Sequence, residues 1–404
     1  MTRRSHGQRI QGETESVAWT VARPRDARHA SGNSTTVSGG ISMKHYTLAV
    51  AIFSAARAAE AVGQDIPGVT TTIENTESAS EVQALDTREQ RMAVEPLDWD
   101  ATRGAGLRTD AVQEAEQLQP SQQSVDTSAP GNPDPNADAE AQSAFPAEWE
   151  GLRGSGSIES LDEGGDVGAL GTKDVFTQYC ENCGAVNFSF PQRAIGKLFT
   201  NAGSCSASVV SPNNVIVTAA HCCYNRGAGQ WIGGYQFAPA YRDGFAPFGM
   251  FNWSRATIPT RWINVGDRKS DVCVIKLRNN SQNRPVTFYT GWLGRSWNWG
   301  TVQVHHAVGY PGNIGGGNKQ ELCVSESFNP SSGCGGASVL NTGCSMTYGA
   351  SGGPWIRHYR GGNWVNSVVS GYDGTSCTGS FGQTFNGPRF TTDNIVNVCN
   401  AIGC

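Results

Sequence analysis

The chain has 404 residues, 38% of them apolar and 16% charged, with a formal net charge of −5. That exceeds the ~250–300 residues one hydrophobic core usually fills, so a single uniform domain is excluded. No run reaches the ~18 apolar residues that cross a bilayer, and the scattered basic residues exclude a dedicated nucleic-acid binder. The net charge conceals three regions: residues 1–61 carry +4, residues 62–170 carry −17 and residues 171–404 carry +8. All 12 cysteines lie between Cys180 and Cys404.

In chain order, the first feature is Met43-Lys44 followed by an apolar stretch through Ala56 and then Ala59-Glu60-Ala61. A short positive start, an apolar middle and an Ala-x-Ala end form the layout of a secretory signal peptide. Residues 43–61 are read as that signal, and residues 1–42 as an extension ahead of the true start. Residues 62–174 are rich in Glu, Asp, Gln, Ser and Ala, lack a sustained hydrophobic period and contain Pro130-Gly131-Asn132-Pro133-Asp134-Pro135. Such a composition predicts a largely disordered acidic segment, with one short helix within Glu81–Val94 and a Gly-rich linker over Gly151–Gly171. Two readings stay open for it: a solvated spacer, or a pro-segment attracted to the basic second half and masking its cleft until cut.

From residue 175 the character changes. Short apolar or alternating runs at Ala194–Thr200, Cys205–Val210, Val215–Ala219, Val272–Leu277, Val302–Val308 and Trp364–Ser370 are punctuated by Gly, Asn, Ser and Pro. This predicts an all-β domain with hairpin connections. A single helix is predicted near the end, over Asp393–Ala401.

Three segments carry residues suited to chemistry. His221 closes the run Val217-Thr218-Ala219-Ala220-His221-Cys222, Asp271 heads the apolar strand Val272–Leu277, and Ser351 sits in Gly349-Ala350-Ser351-Gly352-Gly353-Pro354. A serine hydroxyl needs a base to become a nucleophile, an imidazole is suited to that at neutral pH, and a buried carboxylate fixes the imidazole tautomer. The glycines let the N–H groups of Gly349 and Ser351 converge on one point, an oxyanion hole. Asp267 and Asp243 are rival acids, although neither heads a clear apolar strand. His305-His306 falls on a strand, where neighbours face opposite ways, which argues against a shared metal; His358 is read as surface.

Together these segments resemble the trypsin/chymotrypsin-like serine proteases over about Ala185–Cys404. Gly196-Lys197-Leu198-Phe199 and Val308-Gly309-Tyr310-Pro311-Gly312 look more like the V8-like, bacterial-type branch than like digestive trypsin. The resemblance implies two packed antiparallel six-stranded β-barrels with a C-terminal helix, over residues 175–290 and 291–404. It implies a secreted, monomeric endopeptidase acting on polypeptides without metal or organic cofactor. It assigns nucleophile, base and acid to Ser351, His221 and Asp271. The alternative is a secreted, catalytically inactive homologue acting as a binding protein.

Departures from the family pattern bear on activation and specificity. Ala350 stands where trypsin-like members carry the Asp that receives a new N-terminus, so that ion-pair switch has no counter-charge here. Ser345 occupies the position that selects Lys or Arg, and Val369 the position of the His in Glu-cleaving members. Ser345, Met346, Val369, Ser370 and Tyr372 therefore suggest an uncharged pocket. The resemblance pairs Cys205 with Cys222 and Cys344 with Cys377. The cysteines of Cys180-Glu181-Asn182-Cys183 read as disulfide-bonded rather than as half a zinc site, for want of a second such pair, and their partners stay open. Asn187, Asn252 and Asn279 begin N-glycosylation sequons.

Overall fold

Between Ile195 and Thr218 nearly every residue is apolar or small, and the polar breaks fall at Asn201-Ala202 and Pro212-Asn213-Asn214. Strands of that composition must bury both faces and hydrogen-bond on both edges. The computed structural model describes residues 67–77, 85–98, 127–132, 176–328, 339–373 and 384–404. The expected extension, the signal-like segment at 43–61, the Gly151–Gly171 linker and Cys377 lie outside the described residues. Among the described residues, no helix is long and apolar enough to cross a membrane.

The first half contains β1 (Thr70–Glu74), helix α1 (Arg88–Met92), β2 (Thr127–Ala129), β3 (Thr177–Cys180), β4 (Ile195–Thr200), β5 (Gly203–Ser211) and β6 (Val215–Thr218). It continues with β7 (Tyr224–Asn225), β8 (Gln230–Trp231), β9 (Gln236–Pro239), β10 (Phe251–Pro259), α2 (Thr260–Asn264), β11 (Cys273–Leu277) and α3 (Val286–Thr290). Six of these strands close an antiparallel barrel in the order β10-β11-β6-β5-β4-β9, with β9 pairing back to β10. Closure removes the free edges, and Leu198, Val209, Ile216, Phe237, Phe251 and Ile275 share the inward face.

The second half contains β12 (Gly294–Trp297), β13 (Val304–Gly309), β14 (Glu321–Glu326), β15 (Val339–Gly343), β16 (Pro354–Arg357), β17 (Trp364–Val368), β18 (Gly371–Asp373), β19 (Thr384–Pro388) and α4 (Asn397–Ile402). Its strands lie in two sheets, β2-β12-β17-β16-β13-β14-β3 and β15-β19-β18, joined by the bridge Phe328–Asn341. The predicted terminal helix splits in two. A π-helical turn over Thr392–Val396, capped by Thr391 with Asn394, precedes α4. The helix returns to the first barrel, where Arg255 donates to the Ile402 carbonyl at 3.0 Å.

Three stretches of the largely polar acidic segment are ordered, and one of them carries α1 inside Glu81–Val94, where the sequence predicts a short helix. Strand β1 extends the barrel along β10, with Thr71 and Thr72 hydroxyls paired to those of Thr260 and Thr257 at 2.8 and 2.7 Å. Residues 127–132 join the second half along β12 and at Trp292. Residues 85–98 lie on the first barrel with Leu85, Val94 and Leu97 buried, each adding about 2 kcal/mol of apolar burial. Three apolar residues suffice because the barrel supplies the partners; a period search along the segment alone does not see them.

Under that segment sits a buried cation. Lys197, on β4, is fully buried, with its Nζ donating to Asn318 Oδ1 at 3.1 Å and lying near the Phe199 and Tyr241 rings. Burial pushes its pKa from 10.5 down to about 7, opposed by Glu95. Between those two values the unfolded chain holds a proton that the folded chain releases, so stability falls as pH drops from 10.5 to 7 and levels off below. Lys197→Met is expected to flatten that slope and to raise the urea midpoint at pH 7; an unchanged profile would refute the assignment.

Candidate active site

His221 lies on the short turn Ala220–Cys222 that ends β6, and it is fully buried. Its position is fixed from both sides. Cys222 is bonded to Cys205 on β5, and Cys223 to Cys273 on β11, two residues beyond Asp271. The Cys223–Cys273 pair has no counterpart in the sequence reading.

Asp271, 1% exposed, follows the turn Arg268–Ser270. Its Oδ1 accepts the His221 backbone N–H at 2.9 Å, and its Oδ2 lies 2.8 Å from His221 Nδ1. Holding both the main chain and the ring of one histidine sets the angle of the ring as well as its distance. The rival acids are engaged elsewhere: Asp267 caps that turn and pairs with Arg261 at 2.6 Å, while Asp243 pairs with Arg242 at 3.4 Å.

A third group reaches Asp271. The Ser370 hydroxyl donates to Oδ2 at 2.5 Å. The resemblance implies that Ser370 stands at the wall of the substrate pocket; its side chain turns to the carboxylate and braces the acid. No local pattern announces this, because the contact joins residues 99 positions apart.

Ser351 and its neighbours are fastened to β5. Ser206 N–H donates to the Ser351 carbonyl at 2.7 Å, and Ser206 Oγ donates to the Gly349 carbonyl at 2.8 Å. On the next turn residue, φ is +78°, and a Cβ at Gly352 would stand 1.9 Å from Thr218 Oγ1 and 2.8 Å from the Ala219 nitrogen. The serine loop therefore abuts the chain two residues before His221. Gly349 also has a positive φ, +88°, and its missing Cβ leaves room for the Tyr310 carbonyl.

The remaining expected site residues are placed as follows. Met346 and Val369 are buried with Ala350, Trp355 and Phe385 beneath the serine loop. Ala350 is thus in apolar surroundings, where a carboxylate would be costly. Ser345 is half-buried, and its hydroxyl donates to Gln178 Oε1 at 2.5 Å. Tyr372 lies on β18. Cys344 bonds to Cys323, which corrects the expected Cys344–Cys377 pair: β14 and β15 are joined through the Phe328–Asn341 bridge, which brings these two sulfurs together.

Away from these segments, Cys180 and Cys183 bond to each other, so their sulfurs are not thiolate ligands. His305 is buried, bonded to Asn366 at 2.7 Å, and burial pushes its pKa down to about 4. His306 stacks on Tyr359, and His358 is exposed. Of the sequon residues, Asn252 and Asn279 are exposed, while Asn187 is half-buried with its amide donating to the Glu181 carbonyl at 3.2 Å.

No family model matches the chain. A glutamyl endopeptidase of Bacillus licheniformis is 26% identical over 146 residues, covering 35% of this chain and 44% of that relative. The chain thus spans less than half the length of the curated relative it matches. Among solved structures, the protease Anisep from Arthrobacter nicotinovorans is 28% identical, with a TM-score of 0.48 over 56% of this chain and all of that one. A thermostable serine protease from an extremophilic microorganism is 28% identical, with a TM-score of 0.46 over 52% of this chain and 97% of that one. The motifs, the closed barrel and the curated relative agree in one likeness, to the trypsin/chymotrypsin-like serine proteases and, among them, to the V8-like, bacterial-type branch.

Proposed function

We propose that the chain is a secreted serine endopeptidase that hydrolyses polypeptides through an acyl-enzyme. The observation that carries this reading is the Asp271 carboxylate, which at once accepts from the His221 main chain, the His221 ring and Ser370. Such convergence on one buried acid holds an imidazole in a single tautomer. With Nδ1 committed to Asp271, Nε2 takes the proton from Ser351 as its oxygen attacks the peptide carbonyl. The same nitrogen then returns the proton to the departing amine, and water releases the acyl group by the reverse route. The N–H groups of Gly349 and Ser351 would receive the negative oxygen of each tetrahedral intermediate. The disulfides and the signal-like segment support secretion. The buried Val369 supports an uncharged pocket.

The test is labelling by a fluorophosphonate probe, which reacts with an activated serine. Stoichiometric labelling of the purified chain is expected, with none in Ser351→Ala. A folded, oxidised chain that takes no label in any form would overturn the reading in favour of an inactive, binding homologue.

A further inference from the structure

One stretch of the acidic segment lies beside the serine loop itself. Ser204 N–H donates to the Glu95 carbonyl at 2.9 Å, and Leu97 N–H donates to the Ser204 carbonyl at 2.8 Å, so Glu95-Pro96-Leu97 runs parallel to the start of β5. This pairing uses no N–H from residue 96, which suits a proline. The ring of Pro96 faces the serine loop and its neighbours. A Cβ on Gly349 would stand 3.0 Å from it, one on Gly312 2.7 Å and one on Gly317 3.0 Å.

The placement is anchored on both flanks. Val94, with Leu85, packs among Phe199, Ala238, Tyr241 and Tyr310, and Leu97 enters the main core. Arg88 and Arg91, on α1, donate to the carbonyls of Asp243 and Gly244, each at 2.6 Å.

The side of the cleft follows from the serine loop. Val369, which bonds Gly352 and Gly353 through its main chain, marks the pocket side, where the acyl part of a substrate would bind. Pro96 lies at Gly349 and Gly312, across the loop from that strand. On the protease reading, a peptide continuing past the cleaved bond must leave along this side.

We infer that Glu95-Pro96-Leu97 is an intramolecular ligand of the leaving-group side of the cleft, which keeps extended polypeptides out while the segment remains docked. The inference rests on the proposed function for its meaning, but its test does not need catalysis. In the Ser351→Ala background, binding of fluorescein-labelled casein is measured by anisotropy to the full chain with and without Pro96→Asp/Leu97→Asp. Affinity is expected to rise about tenfold or more in the altered segment, the gain of a freed subsite. Near-UV circular dichroism checks folding. If the double variant loses its spectrum, Pro96→Ser, which replaces the ring by a small side chain, is expected to give a rise of about threefold. Equal affinity in every folded variant overturns the inference. Fluorophosphonate labelling of the same chains with Ser351 intact reports separately on the protease reading: label without a gain in binding removes the intramolecular ligand alone, and a gain in binding without label removes catalysis alone.

Discussion

Asp271→Asn is expected to lower the rate of fluorophosphonate labelling, and kcat on any peptide substrate, by about 10⁴-fold while the chain stays folded. Asp271 accepts three hydrogen bonds, from the His221 main chain, His221 Nδ1 and Ser370 Oγ. An asparagine offers one accepting oxygen and one donating NH2 in the same space. Because the main-chain N–H can only donate, the oxygen is held there, and the NH2 is directed at the ring. Nδ1 must then become an acceptor, which moves the imidazole proton to Nε2, and an Nε2–H cannot take a proton from Ser351. Ser370→Ala removes one donor and leaves the tautomer as it is, so it should cost far less. A labelling rate for Asp271→Asn within tenfold of the unaltered chain would refute the assignment.

Gly352→Ala is expected to be the most damaging single methyl in the site, costing about 3 kcal/mol of stability and most of the labelling. Two causes add. The residue has φ +78°, a conformation that an alanine adopts only at a cost, and its Cβ would sit 1.9 Å from Thr218 Oγ1 and 2.5 Å from the Ser206 carbonyl. The Thr218 hydroxyl donates to that same carbonyl at 2.9 Å, so the methyl enters a formed hydrogen bond rather than open space. Relief requires the serine loop to withdraw from β5, which carries Ser351 with it. Urea unfolding together with labelling checks both effects; a loss below about 1 kcal/mol would show that the loop yields easily.

The segments holding His221, Asp271 and Ser351 stand out in the sequence because each is local. A histidine ends an apolar strand, an acid begins one, and a serine sits among glycines, so spacing along the chain is enough to find them. What lay beyond reach depends on register between distant strands. Ser370 turns to Asp271, and Ser206 holds the serine loop at Gly349 and Ser351; neither contact leaves a trace in its own neighbourhood. The partner of Cys344 is out of reach for the same reason, since it is the junction of β14 and β15 that selects Cys323. The all-β character is legible from the strand runs and turn residues, and the barrel from the family resemblance alone. The docking of Leu85, Val94 and Leu97 is not, because the surfaces that bury them, β4, β9 and the loop around Tyr310 for the first two and the main core for Leu97, are distant in the chain.

Ser206 gives the serine loop its shape through two hydrogen bonds from a strand interior, and the buried methyl of Ala350 leaves no socket for an incoming ammonium group. The serine loop is therefore finished when the barrel is finished. On the inference that Glu95-Pro96-Leu97 occupies the cleft, cutting the chain upstream would alter which molecules are admitted and leave the arrangement they meet as it is.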